Sequence, residues 1–211
     1  MYVVSFSKDR RSLDISGRNI QKYDVKRAAN LTGVLLLGGR SRRFGSDKTQ
    51  APLGGTTLAG HAHRALSEVC SCVLLSVSKH SSPGELSGCL LLDDVPDRGP
   101  LGGILTAFSV STEPYLVVLA GDLPRIRPAT LSGMVMRFES GVLIARNEQS
   151  GRVQPLCAVW SREASEQLEE YLESGHRSVL GFLEGVDTHE FDLPPEELVN
   201  INRPGDLEDV R

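Results

Sequence analysis

Two kinds of residue stand out by type and spacing. The stretch GVLLLGGRSRRFGSDK, residues 33–48, empties an apolar run into Gly38 and Gly39, then into Arg40, Arg42, Arg43 and Lys48. Glycines let a backbone approach a ligand and expose its N–H groups, while the arginines and the lysine neutralise anionic oxygens. That combination suits a polyphosphate. The second kind is carboxylate: Asp93 and Asp94 close the run LLLDD, and Asp122 follows YLVVLAG. Carboxylates beside phosphate-binding cations point to a bridging divalent metal, because Mg2+ takes one or two carboxylates plus substrate phosphate oxygens. The two common phosphate loops, GxGxxG and GxxxxGK[ST], are both absent.

These groups act together only if the fold carries them to one edge. Runs rich in Val, Leu and Ile at 32–37, 72–78, 89–92, 115–119, 141–145 and 153–160 predict strands, and helical patterns at 57–69, 101–110, 128–138 and 161–173 alternate with them. Pro128 opens one helix and Ser161 caps another. The alternation implies βαβ units and an α/β fold, a Rossmann-like three-layer α/β/α sandwich around a mostly parallel sheet. Runs such as GVLLL and LVVLAG suit strands buried on both faces. Ligands of such sheets bind beyond the carboxyl ends of the strands, where Gly38, Gly39, Asp93, Asp94 and Asp122 all fall. The segment GPLGG, 99–103, reads as a loop opening the next helix.

The rest of the sequence narrows the class. The 211 residues suit one domain, taken as 31–211. Residues 1–30 break the rhythm and read as a loosely attached lead segment with one short strand at 2–6. With 23 basic and 27 acidic residues and a net charge of −4, the composition argues against a bulk electrostatic hold on nucleic acid or an anionic membrane. No apolar run is long enough to span a bilayer and no secretory h-region opens the chain, so it reads as cytoplasmic. Cys70, Cys72, Cys89 and Cys157 lack CxxC pairing and read as reduced, buried thiols. His61 and His63 point to different helix faces, His80, His176 and His189 are isolated, and no nucleophile triad is evident. EASEQLEEYLESG predicts an amphipathic helix with Leu168 and Leu172 inward.

LLLGGRSRRFGSDK resembles the signature LxGGxSxRxGxDK of the molybdenum cofactor guanylyltransferases, one branch of the nucleotidyltransferases that attach NMP to phosphorylated acceptors. Six further segments resemble that family in order: LGGTTLAGHAHRAL, DDVPDRGPLGGI, VVLAGDLPRI, RVQPLCAVW, GHRSVLGFLE and VNINRPGDLEDV. The resemblance covers most of the chain from about residue 32. It implies a fold of the nucleotide-diphospho-sugar transferase type, GTP and molybdopterin or molybdenum-molybdopterin as substrates, Mg2+ as cofactor, and other proteins of the cofactor pathway as partners.

Carried over by position, the resemblance has Gly38, Gly39, Arg43 and Lys48 embrace the triphosphate, with Lys48 on the α-phosphate. Leu36 borders the guanine, Asp122 holds the metal, and Arg43, Lys48 and Asp122 carry catalysis. Asp93 matches the family aspartate without a gap and Asp94 with a longer loop. Asn200 and Asn202 line the acceptor side, or else form a turn and cap before Pro204. Three departures matter: Gly121 stands for the usual Cys, Thr56-Thr57 for Lys-Pro, and Ser76 and Ser78 stand where many members carry Asn. The last leaves base selectivity open between GTP and CTP. The alternatives are cytidylyl or other NMP transfer, and a GTP- or cofactor-binding protein of this fold without catalysis; an NAD-linked oxidoreductase lacks its glycines and ribose-binding acid.

Overall fold

The apolar runs and helical patterns become alternating elements in the computed structural model, which describes residues 31–37, 47–77, 82–92, 98–201 and 204–207. In chain order these are β1 (Thr32–Leu36), a hairpin of β2 (Pro52–Leu53) and β3 (Thr56–Thr57), α1 (Leu58–Ser67), β4 (Cys72–Val77), β5 (Cys89–Leu92), α2 (Gly99–Val110), β6 (Tyr115–Ala120) and α3 (Pro128–Arg137). They continue with β7 (Val142–Asn147), β8 (Val153–Ser161), α4 (Arg162–Glu173), α5 (Val179–Leu183) and β9 (Thr188–Leu193). Single 3-10 turns lie at Lys48–Gln50, Pro195–Leu198 and Pro204–Leu207.

Among the described residues, seven strands form one sheet in the order β5-β4-β1-β6-β8-β7-β9. The pairs β5/β4, β4/β1, β1/β6 and β7/β9 are parallel, and β8 runs antiparallel to both its neighbours. The sheet is mostly parallel, as the alternation of elements requires.

Period two decides which side chain faces which layer. From β1, Leu35 joins one apolar cluster with Ala62 and Leu66 of α1 and Leu131 and Met134 of α3. Val34 and Leu36 join the other, with Leu101 and Ile104 of α2, Leu168 and Leu172 of α4, and Phe182 of α5. Both faces are therefore covered, which explains why the central strands read as continuous apolar runs.

Local chemistry sets the helix ends. Thr57 and Ser161 cap α1 and α4 by accepting from the Gly60 and Ala164 amides at 3.0 and 3.2 Å. The Arg162 guanidinium closes α2 from outside, donating to the carbonyls of Phe108 at 3.1 Å, Ser111 at 2.7 Å and Glu113 at 2.8 Å. Leu168 and Leu172 face inward, as the amphipathic pattern predicts.

Two readings are revised. GPLGG is the opening of α2 itself and not a loop before it, since Pro100 sits where a missing N–H costs nothing. The hairpin β2/β3 and the edge strand β9 carry no apolar run; β9, THEFDL, is mostly polar because only one side of it meets a neighbour. The lead segment 1–30, with its expected strand at 2–6, lies outside the described residues.

Candidate active site

Parallel pairing brings the carboxyl ends of β1, β4 and β6 level. Leu36 sits opposite Ser76 on one side and Ala120 on the other. The pairing runs one step further: the Leu37 amide donates to Ser76 O at 2.9 Å, and the Gly121 amide donates to Leu36 O at 3.0 Å. The next residue on the β6 side is Asp122, in the turn before α3. It does not cap that helix, whose N-cap position belongs to Arg127. Its carboxylate is free to face the edge.

Lys48 reaches this carboxylate from the β1 side. Asp47 caps the short turn Lys48–Gln50, its Oδ1 accepting from the Thr49 amide at 3.1 Å and the Thr49 hydroxyl at 2.6 Å. Its other oxygen accepts from the Ser82 amide at 3.0 Å. Thus anchored, the turn aims Lys48 Nζ at Asp122 Oδ2, 2.5 Å away, the two side chains 18% and 14% exposed. Asp47 was not among the candidates from sequence; it stood inside the signature, but only the fold shows that it tethers the lysine.

Glycine makes the close approach possible. A Cβ on Gly121 would lie 3.2 Å from Leu37 Cδ2 and 3.4 Å from Thr49 Cγ2, so the side chain usual in the resembling family has little room here. A Cβ on Gly103 would lie 2.2 Å from Ser76 Oγ and 3.2 Å from Leu36 Cδ2. The opening of α2 therefore rests directly on Ser76 and Leu36, and Ser76 is buried.

The segment that ends at Ile201 meets the backbone of Asp122. The Ile201 amide donates to Asp122 O at 3.2 Å, which puts Asn200 beside the aspartate. Asn200 Oδ1 is buried and has no hydrogen-bond partner among the described residues. A buried acceptor left unpaired is costly unless a ligand or water meets it.

The fold thus gathers Leu36, Lys48, Asp122 and Asn200 at one edge. Gly38, Gly39, Arg43, Asp93, Asp94 and Asn202 lie outside the described residues, as do Arg40, Arg42, Ser78 and His80. Among the described residues no three His, Cys, Asp or Glu cluster to make a metal cage. Asp122, a carboxylate at an open strand end, fits a hard cation shared with phosphate oxygens and water. Two of the histidines serve elsewhere: His61 Nε2 bonds Leu53 O at 3.0 Å and His63 Nε2 bonds Ser87 O at 2.5 Å. Cys70 and Cys157 are buried free thiols, each pushed up to about 12 chiefly by burial. No helix among the described residues is long and apolar enough to cross a membrane.

A family model described as "MobA-like NTP transferase domain" matches residues 33–188. The chain belongs to this family of nucleotidyltransferases. A Chloroflexus aggregans protein named "Probable molybdenum cofactor guanylyltransferase" is 31% identical over 86% of this chain and 93% of its own. Among solved structures, molybdopterin-guanine dinucleotide biosynthesis protein A from Archaeoglobus fulgidus superposes with a TM-score of 0.69 at 22% identity, over 85% of this chain and 96% of that one. A Mycobacterium tuberculosis protein solved in complex with manganese superposes with a TM-score of 0.62 at 16% identity, over 86% and 98%. These likenesses agree with the nucleotide-diphospho-sugar transferase fold expected from the sequence.

Proposed function

We propose that this protein transfers GMP from GTP to the phosphate of molybdopterin, with or without bound molybdenum, releasing pyrophosphate. The observation that carries the reading is the meeting of Lys48 with Asp122 at the carboxyl ends of β1 and β6, in a chain of this family. An acceptor phosphate oxygen forms a bond to the α-phosphorus of GTP as the bond to the α,β-bridging oxygen breaks. The acceptor needs no strong base, since a phosphate is already ionised at neutral pH. Lys48 leaves Asp122 for the α-phosphate and neutralises the charge that grows there, while Gly38, Gly39 and Arg43 hold the rest of the triphosphate. Leu36 borders the base, with Asp93 or Asp94 contacting the nucleotide. Asp122 holds a divalent cation, in our reading Mg2+. Bound there, the cation neutralises phosphate charge and orients the leaving pyrophosphate. Asn200, with its unpaired Oδ1, and Asn202 receive the acceptor.

The same reading takes 31–211 as one nucleotidyltransferase domain with 1–30 as a lead segment, the cytoplasm as its compartment, and other cofactor-pathway proteins as its partners. The test is pyrophosphate release by the purified protein with Mg2+ and molybdopterin, run in parallel with GTP, CTP and ATP. Turnover with GTP alone is expected. Turnover with CTP would move the protein to cytidylyl transfer, consistent with Ser76 in place of Asn; GTP binding with no pyrophosphate would make it a binding protein.

A further inference from the structure

Glu197 is a carboxylate in the wrong place for a solvated acid. It sits in the 3-10 turn Pro195–Leu198 and is only 2% exposed. An isolated buried carboxylate is strongly unfavourable, so its partners must be numerous and well placed. Oε2 accepts from the Arg127 amide at 3.1 Å and from the Thr130 hydroxyl at 2.6 Å, and Oε1 accepts from Arg127 Nε at 2.7 Å and from Arg127 Nη2. Each oxygen thus takes two donors.

These donors lie at the N-terminus of α3. Its N-cap is Arg127, which carries no side-chain acceptor and makes no cap of its own. A helix start left without an acceptor has orphaned N–H groups and the positive end of its dipole unmatched. Glu197 supplies both needs from a segment 70 residues downstream. The same segment, four positions on, donates from the Ile201 amide to Asp122 O at 3.2 Å. Residues 122–127 and 197–201 are therefore joined at both ends: Asp122 with Ile201 at one, Arg127 with Glu197 at the other. Between the two ties lies Asn200.

We infer that Glu197 is a positioning residue, whose clamp on the start of α3 holds the 199–201 segment against the Asp122 backbone and so sets where Asn200 lies. It touches none of the reacting groups and acts through Ile201 and Asn200. Its effect on turnover rests on the reading of Asn200 and Asp122 given above; its effect on the position of the segment does not.

The test is Glu197→Gln in the full chain. Glutamine keeps the size but offers a single oxygen, so one of the two donor pairs must face an NH2 group. The Arg127 side chain is 64% exposed and turns to water, which leaves no buried charge stranded. Amide exchange at Ile201 is expected to rise about tenfold or more, with Val118 in central β6 unchanged, as a local opening would produce. The KM for molybdopterin is expected to rise several-fold with the KM for GTP unmoved. Unchanged protection at Ile201, or equal acceleration at Ile201 and Val118, overturns the inference, since a residue that merely stabilises the fold moves all amides together. Local loosening at Ile201 with an unchanged acceptor KM upholds the clamp and counts against the acceptor role of Asn200. Should Glu197→Gln not fold, Thr130→Val, which removes one donor to Oε2, is read by the same exchange comparison.

Discussion

At the scale of single residues, the proposed chemistry rests on two opposite charges held within hydrogen-bond reach. The Lys48–Asp122 pair is neither fully buried nor fully solvated, at 18% and 14% exposure. Desolvation offsets much of the attraction in a pair so largely removed from water, so under the proposed function each group can exchange its partner for phosphate or cation. Asp122→Ala is accordingly expected to cut pyrophosphate release by about a hundredfold or more while the circular dichroism spectrum stays that of the wild type. A variant that retained the wild-type rate would remove Asp122 from the site. Lys48 and Asp122, which the structure brings together, were picked out in the sequence by type and position, because phosphates and metals demand those residue types. Asp47 and Glu197 were not: a carboxylate that works by accepting backbone N–H groups looks like any surface acid until its partners, 35 and 70 residues away, are known.

At the scale of elements, glycine at the opening of α2 decides how near that helix comes to the strand ends. Alanine is ordinarily preferred to glycine inside a helix by about 1 kcal/mol. At Gly103 the sign reverses, because the new Cβ would stand 2.2 Å from Ser76 Oγ and 3.2 Å from Leu36 Cδ2. Gly103→Ala is expected to lower stability by about 1–3 kcal/mol, read from the urea midpoint at constant slope. A midpoint equal to or above the wild type would show that α2 gives way at no cost. The helices α1 to α4 were visible in the sequence through their apolar period, and the central strands through their continuous apolar runs. The strand β9 escaped it because an edge strand with His189, Glu190 and Asp192 carries too few apolar residues to announce itself; pairing with β7 and the ion pairs of Arg146 with Glu190 and Asp192 order it instead.

At the scale of the whole molecule, two apolar clusters sandwich the sheet, and thiols buried among them give the fold a response to alkali. Burial, aided by the nearby charges of Cys72 for Cys70 and of Glu197 for Cys157, pushes both thiols from 9.0 up to about 12. Unfolded thiols lose their protons from pH 9 while the folded ones keep theirs, so the unfolded state binds fewer protons in this window. Stability is therefore fully present below pH 9 and falls as pH rises towards 12. Melting temperatures across that range are expected to decline less steeply in Cys157→Ala than in the wild type; parallel declines would count against the thiol as a cause. The sequence by itself determined the class of fold and the sheet edge that carries the candidate residues Lys48 and Asp122, since both follow from the local pattern of the elements. Only the tertiary structure decided that β8 runs antiparallel, that Asp47 and Glu197 are tethers, and that Asn200 lies beside Asp122. Those depend on which distant segments the packed sheet brings into hydrogen-bond reach, and no local pattern encodes that distance.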